Sequence, residues 1–166
     1  MFIPFDDMPS NSRVWVYQSD RAFTEQEVEE VERKSSLFIE QWAAHNQPLK
    51  ASFKTIYDHF LIISVDESFN KASGCSIDAS VHLVKELEKE LDIHFFDRTK
   101  VAFIHQGKVN LESINNLKAS IAEGKITEHS MTFNNLVNDK KELQNKWIVT
   151  TKDSWLNRYF KAVEQH

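Results

Sequence analysis

The alternation of apolar and polar residues predicts that the chain begins with a strand followed by a long helix. Residues 13–18 alternate valine with large aromatic and polar side chains, as half-buried strands do. Thr24 and Glu27 form a capping box, in which hydroxyl and carboxylate satisfy free backbone amides at a helix start. Apolar residues then recur at helical spacing as far as His45, where Asn46 is expected to end the helix.

The next elements predicted are a hairpin and a second helix. Residues 50–57 alternate and residues 60–65 are continuously apolar, which indicates two strands joined near Asp58, the second buried on both faces. The 3.6-residue period resumes as far as Leu91, with Ser76 predicted as the N-cap.

A second hairpin and a third helix complete the clear part of the pattern. A Gln-Gly turn separates residues 101–105 from 108–111, and residues 114–121 form a short amphipathic segment that ends at Gly124. Beyond Gly124 the periodicity weakens, and only residues 153–160 clearly predict a helix.

This order of elements predicts an α+β fold of the ferredoxin-like split βαβ type. Such a fold has an antiparallel sheet with helices on one face. Here it would carry an extra hairpin strand and a C-terminal helical extension. No linker interrupts the chain, so we expect a single domain, 1–166, with an irregular N-terminal arm (1–12), an α/β core (13–112) and a mainly helical C-terminal extension (113–166).

Composition narrows the class of protein. The net charge of −5 argues against binding a phosphate backbone, which requires clustered basic residues. A single cysteine excludes an internal disulfide and a cysteine-based zinc site, and is typical of a reducing compartment. The start of the chain carries acids and no long apolar stretch, so we expect a cytoplasmic protein without a membrane span.

The familiar catalytic and cofactor motifs are missing from the sequence. The three glycines, Gly74, Gly107 and Gly124, belong to no phosphate-binding loop, which excludes an ATPase of the P-loop kind. The sequence predicts no cofactor and no metal. Asp78, His82 and Glu86 share a helix face, but that face is better explained as a solvated one.

One stretch, residues 73–78, could carry chemistry. It places Cys75 at the start of the second helix, where free amides and the helix dipole stabilise a thiolate. In the predicted fold Cys75 would be the nucleophile, His45 or His105 its base and Asp66 the orienting carboxylate. The alternative is that Cys75 is a small buried apolar residue.

The opposite end of the predicted sheet gathers candidate ligand-binding residues. Asp20–Arg21 and Asp97–Arg98 both lie at strand boundaries, where arginines could bind a carboxylate or phosphate. Ser76, beside the thiol, is a further candidate for such a small anionic ligand. The alternative is that these Asp-Arg pairs tie loops to each other.

The C-terminal third supplies two more candidates for recognition. Two asparagines in residues 133–137 (FNNLV) form either a recognition loop or a turn in which side chains bond the local backbone. The aromatic residues that follow dock on the core or form an interface, which leaves a homodimer open. These aromatic residues are Trp147, Trp155, Tyr159 and Phe160.

Four segments of the chain resemble a family of small bacterial proteins typical of the Bacteroidetes, often labelled "ABC transporter ATPase". They are RVWVYQSDR (13–21), SGCSIDAS (73–80), FDR (96–98) and FNNLV (133–137). The resemblance implies no particular activity, and the label conflicts with the absence of a Walker-type loop and of an LSGGQ signature. Two hypotheses follow: a non-enzymatic ligand- or protein-binding domain, which we prefer, and a thiol-dependent enzyme of acyl or group transfer or hydrolysis.

Overall fold

The computed structural model describes residues 1–164 of the chain. They form nine strands and five α-helices in one mixed α+β arrangement with antiparallel sheets. The strands are β1 (Arg13–Gln18), β2 (Ala43–Ala44), β3 (Gln47–Pro48), β4 (Lys50–Ile56), β5 (Phe60–Asp66), β6 (Lys100–His105), β7 (Lys108–Ser113), β8 (Met131–Phe133) and β9 (Ile148–Thr150). The helices are α1 (Glu25–Glu40), α2 (Gly74–Leu91), α3 (Leu117–Ala122), α4 (Lys140–Lys146) and α5 (Asn157–Glu164).

The first sheet has the strand order β1-β5-β4, and every neighbouring pair is antiparallel. All seven residues of its central strand β5 are buried, which confirms the prediction of a strand covered on both faces. The β4–β5 hairpin turns at residues 57–59, where Tyr57 and Asp58 have positive φ, as the predicted turn near Asp58 requires.

The second sheet has the order β7-β6-β8-β9 and is also antiparallel. The tight turn between β6 and β7 places Gln106 and Gly107 at φ 52° and 77°. This confirms the second predicted hairpin, because a two-residue type I′ turn needs positive φ at both central positions.

The two sheets and the helices form four layers. Helices α1 and α2 pack on one face of the first sheet through residues such as Val31, Val84 and Leu61. The other face of the first sheet packs on the second sheet, where Phe60 contacts Phe133 with ring centroids 4.6 Å apart. Helices α3 and α5 pack on part of the outer face of the second sheet, against Val101 and Phe103 of β6.

The α+β class is confirmed, but the ferredoxin-like topology is not. The order β1-β5-β4 matches the first three strands of a split βαβ unit, yet β6 pairs with β7 and β8 in the second sheet. The outer edge of β1 is occupied instead by the segment before α4: Val14 N donates to Asn138 O over 2.9 Å. Helices therefore flank both outer faces, because two stacked sheets each leave an apolar face to cover.

The C-terminal third holds three of the α-helices, but it also contributes two strands to the second sheet. β8 and β9 form half of the second sheet, with Thr132 opposite Phe103 on β6 and opposite Val149 on β9. The helix predicted at 153–160 begins later, at Asn157. The third predicted helix and its end at Gly124, φ 78°, are confirmed.

The first predicted helix is too long at its C-terminal end. α1 ends at Glu40, and the residues up to Pro48 form the short β2–β3 hairpin, whose turn residues His45 and Asn46 have φ 52° and 63°. Trp42 keeps its place in the core but reaches it from this connection. Helical spacing of apolar residues therefore continued past the point where the backbone leaves the helix.

A buried lysine holds the irregular N-terminal arm against the body. Lys140, only 6% exposed, donates to the carbonyl oxygens of Asp6 at 3.0 Å and Met8 at 2.8 Å. Two carbonyl acceptors satisfy a charged donor that would be costly to bury unpaired.

No helix within residues 1–164 combines the length and apolar character that a transmembrane span requires.

Candidate functional site

The predicted thiol site lies at the N-terminus of α2. Ser73, not Ser76, is the N-cap: the two serines form a capping box in which Ser73 Oγ accepts from Ser76 N over 3.1 Å. Ser76 Oγ accepts from Ser73 N at 2.7 Å and donates to Ser73 O at 2.9 Å. Because this hydroxyl is buried and fully used within the cap, Ser76 does not offer it to a ligand.

Cys75 is exposed and lines an open depression of about 720 Å³ together with His45, Asn46 and the α2 N-terminus. The alternative of a buried core cysteine is therefore wrong. His45 reaches this depression because Trp42 Nε1 donates to Ser76 O over 2.9 Å, which fixes the start of the β2–β3 hairpin against α2. Asn70 Nδ2 holds the other side of the hairpin by donating to Gln47 O over 3.0 Å.

The remaining members of the predicted catalytic group lie elsewhere. Asp66 does not line the depression: it is buried at the end of β5, and its Oδ1 accepts from the N and Oγ of Ser68 at 3.0 and 2.7 Å. His105 lies at the end of β6 in the second sheet, in a different depression that it shares with His129. The structure thus brings Cys75 and His45 together without an orienting carboxylate among the lining residues.

At the opposite end of the first sheet, Asp20 and Arg21 tie two loops together. Arg21 forms a bidentate ion pair with Glu27, both N–O distances being 2.7 Å, and its Nη2 also donates to Leu91 O over 2.8 Å. Asp20 Oδ1 accepts from His94 N over 2.9 Å. Hydrogen bonding to Arg21 lowers the pKa of Glu27 to about 2, and the same contact raises the pKa of Arg21. A guanidinium held in this way is a poor receptor for an external anion.

Asp97 and Arg98 do not complete a ligand site with this pair. Asp97 Oδ1 accepts from the N and Oγ1 of Thr99 at 2.9 and 2.6 Å, and these bonds lower its pKa. This is the local turn chemistry of aspartate. Arg98 is exposed and forms no ion pair within residues 1–164.

A third feature, which the sequence indicated only in part, is an exposed surface formed by Leu136, Trp155, Arg158 and Tyr159, here called the aromatic surface. Leu136 is 85% and Trp155 49% exposed, and both line one depression of about 330 Å³. The Arg158 guanidinium carbon lies 5.0 Å from the ring centroid of Trp155 and 5.3 Å from that of Tyr159. The two rings meet edge-on with centroids 6.1 Å apart.

The FNNLV segment builds one side of this surface. Asn134 Oδ1 accepts from Leu136 N over 3.2 Å, so the turn is stabilised by its own side chain, as one of the two alternatives predicted. Asn135 is used internally: Oδ1 accepts from Trp147 Nε1 and Nδ2 donates to Gln18 Oε1, both at 2.9 Å. The asparagines thereby present Leu136 to solvent. Two amides between apolar residues were the signal for this turn, but nothing in the sequence showed that Leu136 points outward.

The C-terminal aromatic residues divide between core and surface. Trp147 is 4% exposed and packs against Phe60 and Phe133 with centroids 4.9 and 4.8 Å apart. Phe160 and Tyr159 pack against the apolar cluster that includes residues of α3, while Trp155 stays half exposed. Both predicted outcomes, docking on the core and forming an exposed surface, therefore occur.

Within the residues described, no three His, Cys, Asp or Glu side chains are grouped so as to hold a metal ion, Asp78, His82 and Glu86 included.

Comparison with protein-family models, with curated proteins and with solved structures finds no match to this chain.

Proposed function

We propose that this chain is a non-enzymatic protein-binding domain and that the aromatic surface recognises its partner. The observation that carries the proposal is the exposure of Leu136 and Trp155 around one depression, with the Arg158 guanidinium in contact with the rings of both Trp155 and Tyr159. Tryptophan, tyrosine and arginine are the residues most enriched among those that dominate binding energies at protein interfaces.

The exposed apolar groups beside Arg158 favour a protein partner over a small anion. Contact with the two rings restricts the Arg158 side chain before binding, so less rotamer entropy is lost when its donors meet a carboxylate. The partner we expect offers an apolar side chain to the depression and an acidic group to Arg158. Arg21, the other arginine considered for a small anion, already has Glu27 as its carboxylate.

The proposal is tested by quantitative affinity capture from a lysate of the source organism with the full chain as bait. Trp155→Ala is compared with Leu37→Ala, a matched control because Leu37 is also exposed, at 57%, but lies on α1 in another layer. We expect Trp155→Ala to weaken retention of a specific protein by at least about tenfold, since truncating a central tryptophan typically costs 2 kcal/mol or more.

Leu37→Ala should retain that protein as the unchanged chain does. Equal loss with both variants would indicate non-specific adsorption to exposed apolar groups. Capture that does not depend on Trp155 would reject the aromatic surface as the recognition site. Thermal unfolding of both variants serves as the folding control.

A second candidate function is thiol chemistry at Cys75, favoured by its exposure in the same depression as His45. His45 would act as the base that activates the thiol. We expect His45→Asn, which keeps a residue tolerant of positive φ at this turn, to slow alkylation of native Cys75 about tenfold or more. His105→Asn, in the other sheet, should leave the rate unchanged, and equal rates in all three proteins would exclude His45 as the base.

A further inference from the structure

β7 differs from the other long edge strands because no segment within residues 1–164 pairs with its outer edge. The outer edge of β4 is bridged by the N-terminal arm, where Ile3 N donates to Ala51 O over 2.8 Å, and that of β1 by Asn138. β7 has six residues and is the terminal strand of the second sheet. Long uncovered edges are templates for pairing with another strand.

The register of the β6–β7 ladder shows which backbone groups this edge offers. Ile114 N donates to Thr99 O over 2.8 Å, one step beyond the pair Lys100–Ser113. In an antiparallel ladder the hydrogen-bonded pairs alternate, so Val109, Leu111 and Ser113 direct their N–H and C=O groups away from β6. Within residues 1–164 these groups have no hydrogen-bond partner outside the ladder.

The side chains of β7 are complementary to a second copy of themselves. An antiparallel pairing with Asn110 opposite its own symmetry mate places Val109 opposite Leu111 and Lys108 opposite Glu112. Val109 and Leu111 are the residues with outward-facing backbone groups, so the ladder can form in this register. Neither Lys108 nor Glu112 has an ion-pair partner in the part of the chain that the structure describes.

We propose that the protein forms a homodimer by antiparallel pairing of β7 with β7 of a second copy, giving one continuous sheet of eight strands, four from each copy. Two Lys108–Glu112 pairs and the half-buried Val109 and Leu111 fix the register. A generic extended peptide could use the same backbone groups, but the charge and apolar pattern match the chain's own strand. This surface is distinct from the aromatic surface, and the dimer does not depend on the proposed function.

Sedimentation velocity of the full chain over about 1–100 μM tests the dimer, since a self-association of moderate affinity changes its populations across that range. We expect concentration-dependent dimer formation in the unchanged protein. Lys108→Glu and Glu112→Lys, each alone, place like charges opposite each other and should raise the dimer dissociation constant about tenfold. The double variant Lys108→Glu/Glu112→Lys restores opposite charges and should recover most of the affinity.

A protein that stays monomeric at about 100 μM would overturn the proposal. A dimer that the single variants leave unchanged, or that the double variant does not recover, would also overturn it, because the contact would then use another register or surface. Trp155→Ala should leave dimer formation unaltered, so the dimer and the partner site can fail separately.

Discussion

Arg21 shows how a residue with the chemistry of a ligand site can be wholly engaged in the fold. Its guanidinium joins the start of α1, through Glu27, to the end of α2, through Leu91 O. Glu27 serves the helix cap as well, because its Oε1 accepts from Thr24 N over 2.9 Å. A single carboxylate thus satisfies both a cap and a cation, and its side chain is only 14% exposed.

This contact predicts a pH-dependent contribution to stability. The pKa of Glu27 falls from 4.5 to about 2 on folding because Arg21 bonds its charged form. The contribution is therefore complete above about pH 4.5 and is lost as the pH falls toward about 2. We expect Glu27→Gln to lower the free energy of unfolding at pH 7 by about 1 kcal/mol, a value reduced for the partial exposure of Arg21.

Urea unfolding of both proteins between pH 7 and pH 2.5 measures this effect. The difference between them should shrink as the pH falls through that window. A difference that is constant with pH would show that the Arg21–Glu27 charge interaction does not stabilise the fold.

At the residue scale, the sequence predicted local hydrogen bonds better than it predicted which residues meet through tertiary packing. The Thr24–Glu27 capping box is local and was predicted correctly, since all its atoms lie within one turn. The N-cap of α2 was placed at Ser76 instead of Ser73 because either serine can cap a helix. That Cys75 is exposed and that Asp66 bonds Ser68 depend on tertiary packing, which no short motif encodes.

At the scale of elements, the hydrogen-bond chain through Asn135 connects the two sheets. Trp147 Nε1 donates to Asn135 Oδ1, Asn135 Nδ2 to Gln18 Oε1, and Gln18 Nε2 to Lys100 O over 3.1 Å. β1 of the first sheet is thereby joined to β6 of the second and to the residue that follows α4. Removing the Asn135 side chain leaves Trp147 Nε1 without this acceptor and Gln18 Oε1 without this donor.

We expect Asn135→Ala to lower the free energy of unfolding by about 1–2 kcal/mol, since an unpaired buried donor such as Trp147 Nε1 costs roughly 1 kcal/mol or more and the half-buried Gln18 Oε1 adds less. Asn134→Ala is the matched control: it removes only the bond to Leu136 N and should cost less than about 1 kcal/mol. Equal losses in chemical denaturation would contradict the role assigned to Asn135.

The elements that the sequence predicted are those set by local signals. The turns of both long hairpins contain residues typical of turns, Asp58 in the first and Gly107 in the second, and α2 has an uninterrupted helical period. β8 and β9 have three residues each, too few for a pattern. β8 pairs with the edge of β6, where Thr132 Oγ1 donates to the carbonyl oxygen of Ala102, 30 residues earlier in the chain, and β9 pairs in turn with β8. Pairing at such separations is decided by the whole core.

At the scale of the whole molecule, the four layers explain why the aromatic surface stays uncovered. α1 and α2 cover the first sheet, and α3 and α5 cover only part of the second. The segment that follows β9 carries Trp155 to the turn that exposes Leu136, and the two residues line one depression. An interaction site at the border between a sheet and its covering helix is consistent with a binding domain.

The most direct test of this account is hydrogen exchange of backbone amides in the full chain, with and without the partner captured through Trp155. We expect binding to slow exchange in residues 134–136 and 154–159, around the depression that Leu136 and Trp155 line. Residues 45–46 and 73–76, at the Cys75 depression, should be unchanged. Protection at the Cys75 depression alone would contradict the account and make that depression the binding site.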